Sequence, residues 1–152
     1  MFAATGMGGM IRPGTPSDAP AAAAILNRWI DSRDWMPRVH THAEVEAFYA
    51  DFVFVQRLVW VVGEPVAGFM AIDDKAAVIT ALYIATPGRG LGRDFVELAK
   101  ARHDHLSLWT FVANTGARRF YEREGFQDRR RTPGDNEEGL PDIEYEWERA
   151  HA

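Results

Sequence analysis

The segment Thr86-Pro-Gly-Arg-Gly-Leu-Gly-Arg-Asp-Phe-Val-Glu-Leu-Ala-Lys100 decides how this chain is read. Before it runs Val78-Ile-Thr-Ala-Leu-Tyr-Ile-Ala85, a β-branched and aromatic run that predicts a strand. After it, apolar Leu91, Phe95, Leu98 and Ala99 recur at helical spacing. A strand, a glycine-rich turn and a helix in that order aim the amides of Arg89 to Arg93 at one spot ahead of the helix dipole. A phosphorylated cofactor is the natural occupant. An ordinary strand-to-helix turn is the competing reading. A Rossmann-type dinucleotide site is not, because Gly88-x-Gly90-x-Gly92 lacks the G-x-G-x-x-G spacing and no acidic residue ends a following strand at the required distance.

Upstream, a short strand around Met10 to Arg12 precedes a helix that Ser17 can cap, with Ala22, Ile25, Leu26, Trp29 and Ile30 on one face. Thr41-His-Ala-Glu44 has the pattern of a capping box, and Val45, Phe48, Tyr49, Phe52 and Val53 continue it as a second helix. The linker between them, Asp31 to His40, is rich in aromatic and charged residues. Arg57 to Val62 and Pro65 to Ile72 read as a hairpin about Gly63-Glu64, and Asp73-Asp74-Lys75 turns into the strand that feeds the glycine loop. Downstream, a helix from Leu91 to about residue 103 leads to a strand over Leu106 to Val112. Asn114 then caps a helix that stops at Gly125. Two further strands fall at Phe126 to Arg131 and Asp142 to Trp147, with a polar loop from Thr132 to Pro141 between them.

Composition limits the functions available. The 152 residues with 47% hydrophobic content suffice for one domain with a substantial core, and the net charge of -5 disfavours a nucleic-acid partner. With no cysteine, thiolate nucleophiles, disulfides and Cys-ligated metals are excluded. The opening ten residues lack a basic start and a continuous apolar core, so residues 1–9 are expected to be a disordered leader rather than a signal peptide. No run approaches the length of a membrane span, which makes the cytoplasm the expected location and a membrane an unexpected partner.

The order strand, Arg-Gly-x-Gly turn, helix, strand, followed by Asn114-Thr-Gly-Ala-Arg-Arg-Phe-Tyr-Glu-Arg-Glu-Gly-Phe126, resembles the GNAT superfamily of acyl-CoA-dependent N-acetyltransferases. The second segment matches the family pattern Asn-x-x-Ala-x-x-Phe-Tyr-x-x-x-Gly-Phe at every fixed position. Trp35-Met-Pro, His40-Thr-x-x-Glu44 and Asn136-Glu-Glu-Gly-Leu-Pro-Asp142 further resemble one bacterial branch of the family. The resemblance implies an α+β fold over residues 10–149, with a mixed, mostly antiparallel sheet of six to seven strands flanked by about four helices. A homodimer is a family-level expectation. One position departs: Pro87 stands where the family usually has Gln or Arg, it has no N–H to donate, and the loop is about two residues short.

The resemblance also implies the chemistry. A neutral amine attacks the thioester of acetyl-CoA, an oxyanion forms, and the CoA thiolate leaves. Arg89, Gly90, Leu91, Gly92 and Arg93 would hold the pyrophosphate through amides and charge. Leu82, Tyr83 and Ile84 would pair by backbone groups with the pantetheine arm, their side chains serving as core. Asn114, Ala117 and Phe120 belong to the same cofactor surface, with Asn114 also a helix cap. Tyr121 is the expected general acid, because a phenol titrating near 10 stays protonated where a thiol titrates near 8.5; outside this motif a helical tyrosine is an ordinary packing residue.

The strand before the glycine loop has no carboxylate for a general base. His40 is favoured, with Glu44 and His42 beside it and Asp73 or Asp74 acting through water. Trp35, Met36, His40, Glu44 and the loop Asn136 to Asp142 are expected around the acceptor, where Glu137, Glu138 and Asp142 would suit a cationic amine; surface packing is the plain alternative. Arg129-Arg-Arg131 reads as a solvated strand that could send one arginine to the adenosine phosphate. His40-Thr-His42 and His103-Asp-His105 lack the partners of a metal site, so no metal is expected. The expected function is transfer of acetyl from acetyl-CoA to a primary amine of a small molecule or a peptide. The rivals are a non-catalytic domain of the same fold that senses CoA or an amine, and a structural or interaction role.

Overall fold

The computed structural model describes residues 10–150, so the expected leader at residues 1–9 lies outside the described residues. One sheet of seven strands runs in the order β1-β2-β3-β4-β5-β7-β6. Its strands are β1 (Ile11–Pro13), β2 (Leu58–Val62), β3 (Gly68–Asp73), β4 (Val78–Ile84), β5 (His105–Phe111), β6 (Gln127–Thr132) and β7 (Asp142–Glu148). All neighbours are antiparallel except β4 and β5, which run parallel because a helix crosses over between them. The fold is therefore α+β with a mixed, mostly antiparallel sheet.

Period-two alternation sends successive side chains of the central strands to opposite faces, and both faces are covered. Val59, Val61, Phe69 and Ala71 meet Ala22 and Ile25 of α1 (Ala19–Ser32), Val45 of α2 (His42–Phe48) and Tyr49 just after it. On the other face Val62, Met70, Ile72, Leu106 and Ile143 meet Phe95, Val96 and Tyr121 of α4 (Leu91–Arg102) and α5 (Thr115–Arg123). Phe69 is fully buried; truncating such a ring to alanine costs about 3–5 kcal/mol.

Local signals explain most boundaries. Thr41 caps α2 by accepting from the Glu44 amide, while Glu44 accepts from the Thr41 amide at 2.8 Å. Asn114 caps α5 by accepting from the Ala117 amide at 3.2 Å, and Gly125 follows the helix at φ 96°.

Three expectations need correction. Ser17 does not cap α1: a 3-10 turn at Pro16–Asp18 leads into it, Thr15 heads that turn with its amide donating to Asp18 at 2.9 Å, Asp18 is the N-cap of α1, and Ser17 only bonds the Thr15 hydroxyl. Strand β3 starts at Gly68 rather than Pro65, because proline cannot donate to a ladder and residues 63–66 form the turn. The second helix widens into a π turn at Tyr49–Val53 before a short α3 (Phe54–Gln56). That shift of phase keeps Tyr49 and Val53 on the sheet and leaves Phe48 54% exposed, stacked on Phe52 at 5.1 Å.

Candidate functional site

The two parallel strands touch at one point. Val78 is aligned with Ser107, and the Ser107 amide donates to the Ala77 carbonyl at 3.1 Å; beyond that β4 and β5 separate. A bulge lies where Ala81 pairs with Ala71 and Ile79 with Ile72, leaving Thr80 as the extra residue, its hydroxyl donating to the Ala71 carbonyl at 3.2 Å. Bulges bend the strand that carries them, and β5 is meanwhile held by β7 along its whole length. A wedge therefore opens between Ile84 and Phe111. The Ala85 amide donates to Ala67 at 2.7 Å, so alternation turns the backbone groups of Tyr83 toward β3 and those of Leu82 and Ile84 into the wedge. Of the three expected residues, two present their backbone there. The side chain of Tyr83 is not core packing alone, since it lines a cavity.

On the α4 and α5 face of the wedge lies the glycine turn. Gly88 and Gly90 sit at φ 96° and 76°, and a Cβ at either would meet nothing within 4 Å, so the turn presents open backbone at the head of α4. Gly90 is the N-cap, and Arg89 and Arg93 are exposed beside it. Gly92 serves differently: a Cβ there would lie 3.2 Å from the Phe120 ring, so this glycine lets the first turn of α4 approach α5.

Tyr121 is 8% exposed and packs against Phe120, Phe126 and Tyr145 with ring centroids 5.0, 5.6 and 6.4 Å away. Burial lifts its phenol well above the ordinary range, with the Tyr83 phenol adding to the effect. Tyr121 packs with the α4 and α5 face of the sheet, and Tyr83 with the α1 face.

A cavity of about 520 Å³ opens on the α1 face, lined by Trp29, Tyr83, Trp109, Phe111 and Asn114, with Asp135, Asn136 and Glu138 from the loop between β6 and β7 and Asp142 at the start of β7. Trp29 packs on Tyr83 at 5.3 Å, and Trp35 backs both Trp29 and Phe111 at 5.7 and 5.9 Å. Burial pushes the Tyr83 phenol up to about 12, with the Glu138 carboxylate contributing. The buried Asp142 accepts from the Thr132 hydroxyl at 2.5 Å and from the Asn136 amide at 3.0 Å, which anchors the loop.

The expected bases lie elsewhere. His40 is exposed and its Nε2 pairs with Glu137 at 2.6 Å, while Glu44 is held in its capping box; neither lines the cavity. Asp73 and Asp74 lie at the other end of β4, Asp74 pairing with Arg102 and His103. His42 and His105 pair with Asp31 and Glu146, and among the described residues no group of three His, Cys, Asp or Glu is placed to hold a metal. Arg129, Arg130 and Arg131 pair with Glu146, Glu144 and Asp128 on the edge strand β6. Trp29, Trp109, Phe111 and Asp135 were not among the expected residues. The alternation Ser107, Trp109, Phe111 along β5 is the signal that could have found two of them.

Among the described residues no helix is long and apolar enough to cross a membrane. No protein-family model and no curated protein matches the sequence. Solved structures do match. The apo form of YjaB from Escherichia coli superposes with a TM-score of 0.74 at 23% identity, over 99% of this chain and 100% of that one. The structure of yncA from Salmonella typhimurium with its cofactor acetyl-CoA gives 0.68 at 19% identity, over 94% and 95%. A GNAT-family acetyltransferase from Bacillus cereus gives 0.70 at 13% identity, over 93% and 97%. The chain has the fold of the GNAT superfamily.

Proposed function

We propose that this protein is an N-acetyltransferase that moves an acetyl group directly from acetyl-CoA to a primary amine. The observation that carries the reading is the wedge: two parallel strands part beside an open glycine turn on one face and a cavity on the other. The residues present fit the cofactor. Open backbone at Gly88 and Gly90, the head of α4, and exposed Arg89 and Arg93 suit a pyrophosphate. The backbone of Leu82 and Ile84 suits an extended amide-bearing arm laid in the wedge. Acetyl-CoA, when bound, supplies the activated acyl group.

The remaining work falls to the chain. An amide of β4 facing the wedge would donate to the acyl oxygen as negative charge develops there. Tyr121, protonated at neutral pH, would give its proton to the departing sulfur. The cavity would hold the amine on the opposite side from the cofactor, which sets nucleophile and leaving group apart. Glu138 and Asp135 take the place of His40 and Glu44 as candidate acceptors for the amine's proton, because they line the cavity and His40 and Glu44 do not, while Asp142 already accepts from Thr132 and Asn136.

Titration calorimetry with acetyl-CoA tests this reading, run beside Gly90→Asp, which adds a carboxylate where a Cβ meets nothing within 4 Å, with Gly90→Ala as the control for the backbone strain of a side chain at φ 76°. The expected result is binding that Gly90→Asp loses, followed by amine-dependent release of CoA. A second reading, a non-catalytic domain that binds CoA or an amine, draws on Pro87, which has no N–H to donate at that point of the turn. CoA binding without turnover over a broad amine panel would favour it.

A further inference from the structure

The cavity on the α1 face carries one sign of charge and an aromatic wall. Asp135, Glu138 and Asp142 line it, and among the described residues no Lys, Arg or His does. Trp29, Tyr83 and Trp109 form the opposing surface, giving broad apolar contact next to the carboxylates. Arg33 stacks on Trp29 at 5.3 Å and Arg130 on Trp109 at 5.2 Å; neither guanidinium lines the cavity, so both rings are braced by groups that are not part of its lining. An anionic guest would meet only like charge here. A neutral one would leave the negative charge of the lining carboxylates unbalanced by any cation in the cavity.

The rim favours a compact guest over an extended chain. Trp35 of the α1–α2 linker leans on two cavity rings, and His40 of the same linker joins Glu137 of the β6–β7 loop at 2.6 Å. The α1–α2 linker and the β6–β7 loop are thus tied to each other by the His40–Glu137 pair. A volume of about 520 Å³ suits a small molecule.

We propose that the acceptor is a small cationic alkylamine, its ammonium facing Glu138 and Asp135 and its hydrocarbon packed on Trp29, Tyr83 and Trp109. This rests on the acetyltransferase reading for the word acceptor, but binding can be tested without it. Electrostatic attraction selects the ammonium form, the ring faces add cation–π contact, and loss of a proton to the adjacent carboxylate, directly or through water, would leave the nitrogen lone pair ready to attack.

The test uses three probes of equal length, n-hexylamine, n-hexanol and hexanoate, titrated calorimetrically into the intact protein without acetyl-CoA. The amine should bind about tenfold or more tighter than the alcohol, with hexanoate weakest. Glu138→Gln and Asp135→Asn should each weaken the amine about three- to tenfold and leave the alcohol unchanged; Asp135 is exposed, so its variant keeps the test independent of folding. Equal binding of the alcohol, tighter binding of hexanoate, no binding of the amine, or indifference of the amine to both variants would overturn the proposal. Amine binding without acetyl transfer would overturn the acetyltransferase reading and leave this one standing. Acetyl transfer that prefers an amine bearing a carboxylate would do the reverse.

Discussion

Gly92 and Phe120 pack more closely than a side chain at residue 92 would ordinarily allow: a Cβ there would lie 3.2 Å from the tip of the Phe120 ring. The last glycine of the turn is thus a packing residue joining α4 to α5. Gly92→Ala should be close to neutral, because a helix-propensity gain of roughly 1 kcal/mol offsets a small displacement of the ring. Gly92→Val should cost about 2 kcal/mol through overpacking, roughly 4–8 °C in Tm. Thermal melts of Gly92→Val with and without Phe120→Leu check the pairing, and the second change should recover part of the loss.

Tyr121→Phe should reduce acetyl transfer about a hundredfold, the scale of general acid catalysis, with acetyl-CoA affinity little changed. Burial raises the phenol in the folded protein, so no alkaline limb from Tyr121 should appear in the rate below about pH 10. Steady-state kinetics over pH 6 to pH 9 read both effects.

The same burial makes the fold sensitive to alkali. Tyr49, Tyr83 and Tyr121 all titrate above their unfolded value near 10, Tyr83 at about 12. Groups raised in the folded state hold protons that the unfolded chain releases, so their contribution is complete below pH 10 and is lost as pH climbs through the folded values. Circular dichroism and phenolate absorbance should change together above about pH 10.

Asp18 gives the opposite dependence at the acid end. The Arg12 guanidinium, bonded to it at 2.9 and 3.0 Å, holds its carboxyl at about 2 against the cost of burial, and the Thr15 amide helps. A depressed carboxylate contributes stability above its unfolded value near 4 and loses it as pH falls toward 2. Asp18→Asn should cost about 2 kcal/mol at neutral pH and flatten the acid limb of a urea-denaturation series.

Asn136 closes the β6–β7 loop on itself, donating to the Leu140 carbonyl at 2.7 Å and to Asp142, and accepting from the Leu140 amide at 3.2 Å. Asn136→Ala should loosen the strand of loop that carries Asp135 and Glu138. The expected outcome is a rise of about tenfold in KM for the amine with a smaller change in kcat, since positioning is lost while the chemistry is not.

Local pattern carried the reading a long way where physics is local. Apolar period, the Thr41–Glu44 box and the Asn114 cap placed elements within a residue or two, because each depends on neighbours three or four positions apart. Pattern misled where two local signals competed, as at Thr15, Ser17 and Asp18, or where a π turn shifted the phase at Phe48. It was silent on the pairing of His40 with Glu137, because the two lie 97 residues apart and no local signal joins them.

Sequence pattern alone set the order of strands and helices, the glycine turn ahead of α4, and the Asn114-to-Phe126 motif, whose resemblance to the GNAT pattern implied the α+β class. These follow from covalent neighbours: the conformations open to glycine and proline, capping geometry, and the two periodicities of buried side chains. Only the tertiary structure decided that β4 and β5 meet at Val78 and Ser107 and then part, that Gly92 faces a ring, and that Trp29, Tyr83, Trp109 and Glu138 share one cavity. A cavity wall drawn from α1, β4, β5 and a distant loop has no period in the chain, because its members become neighbours only when two faces of a sheet are packed.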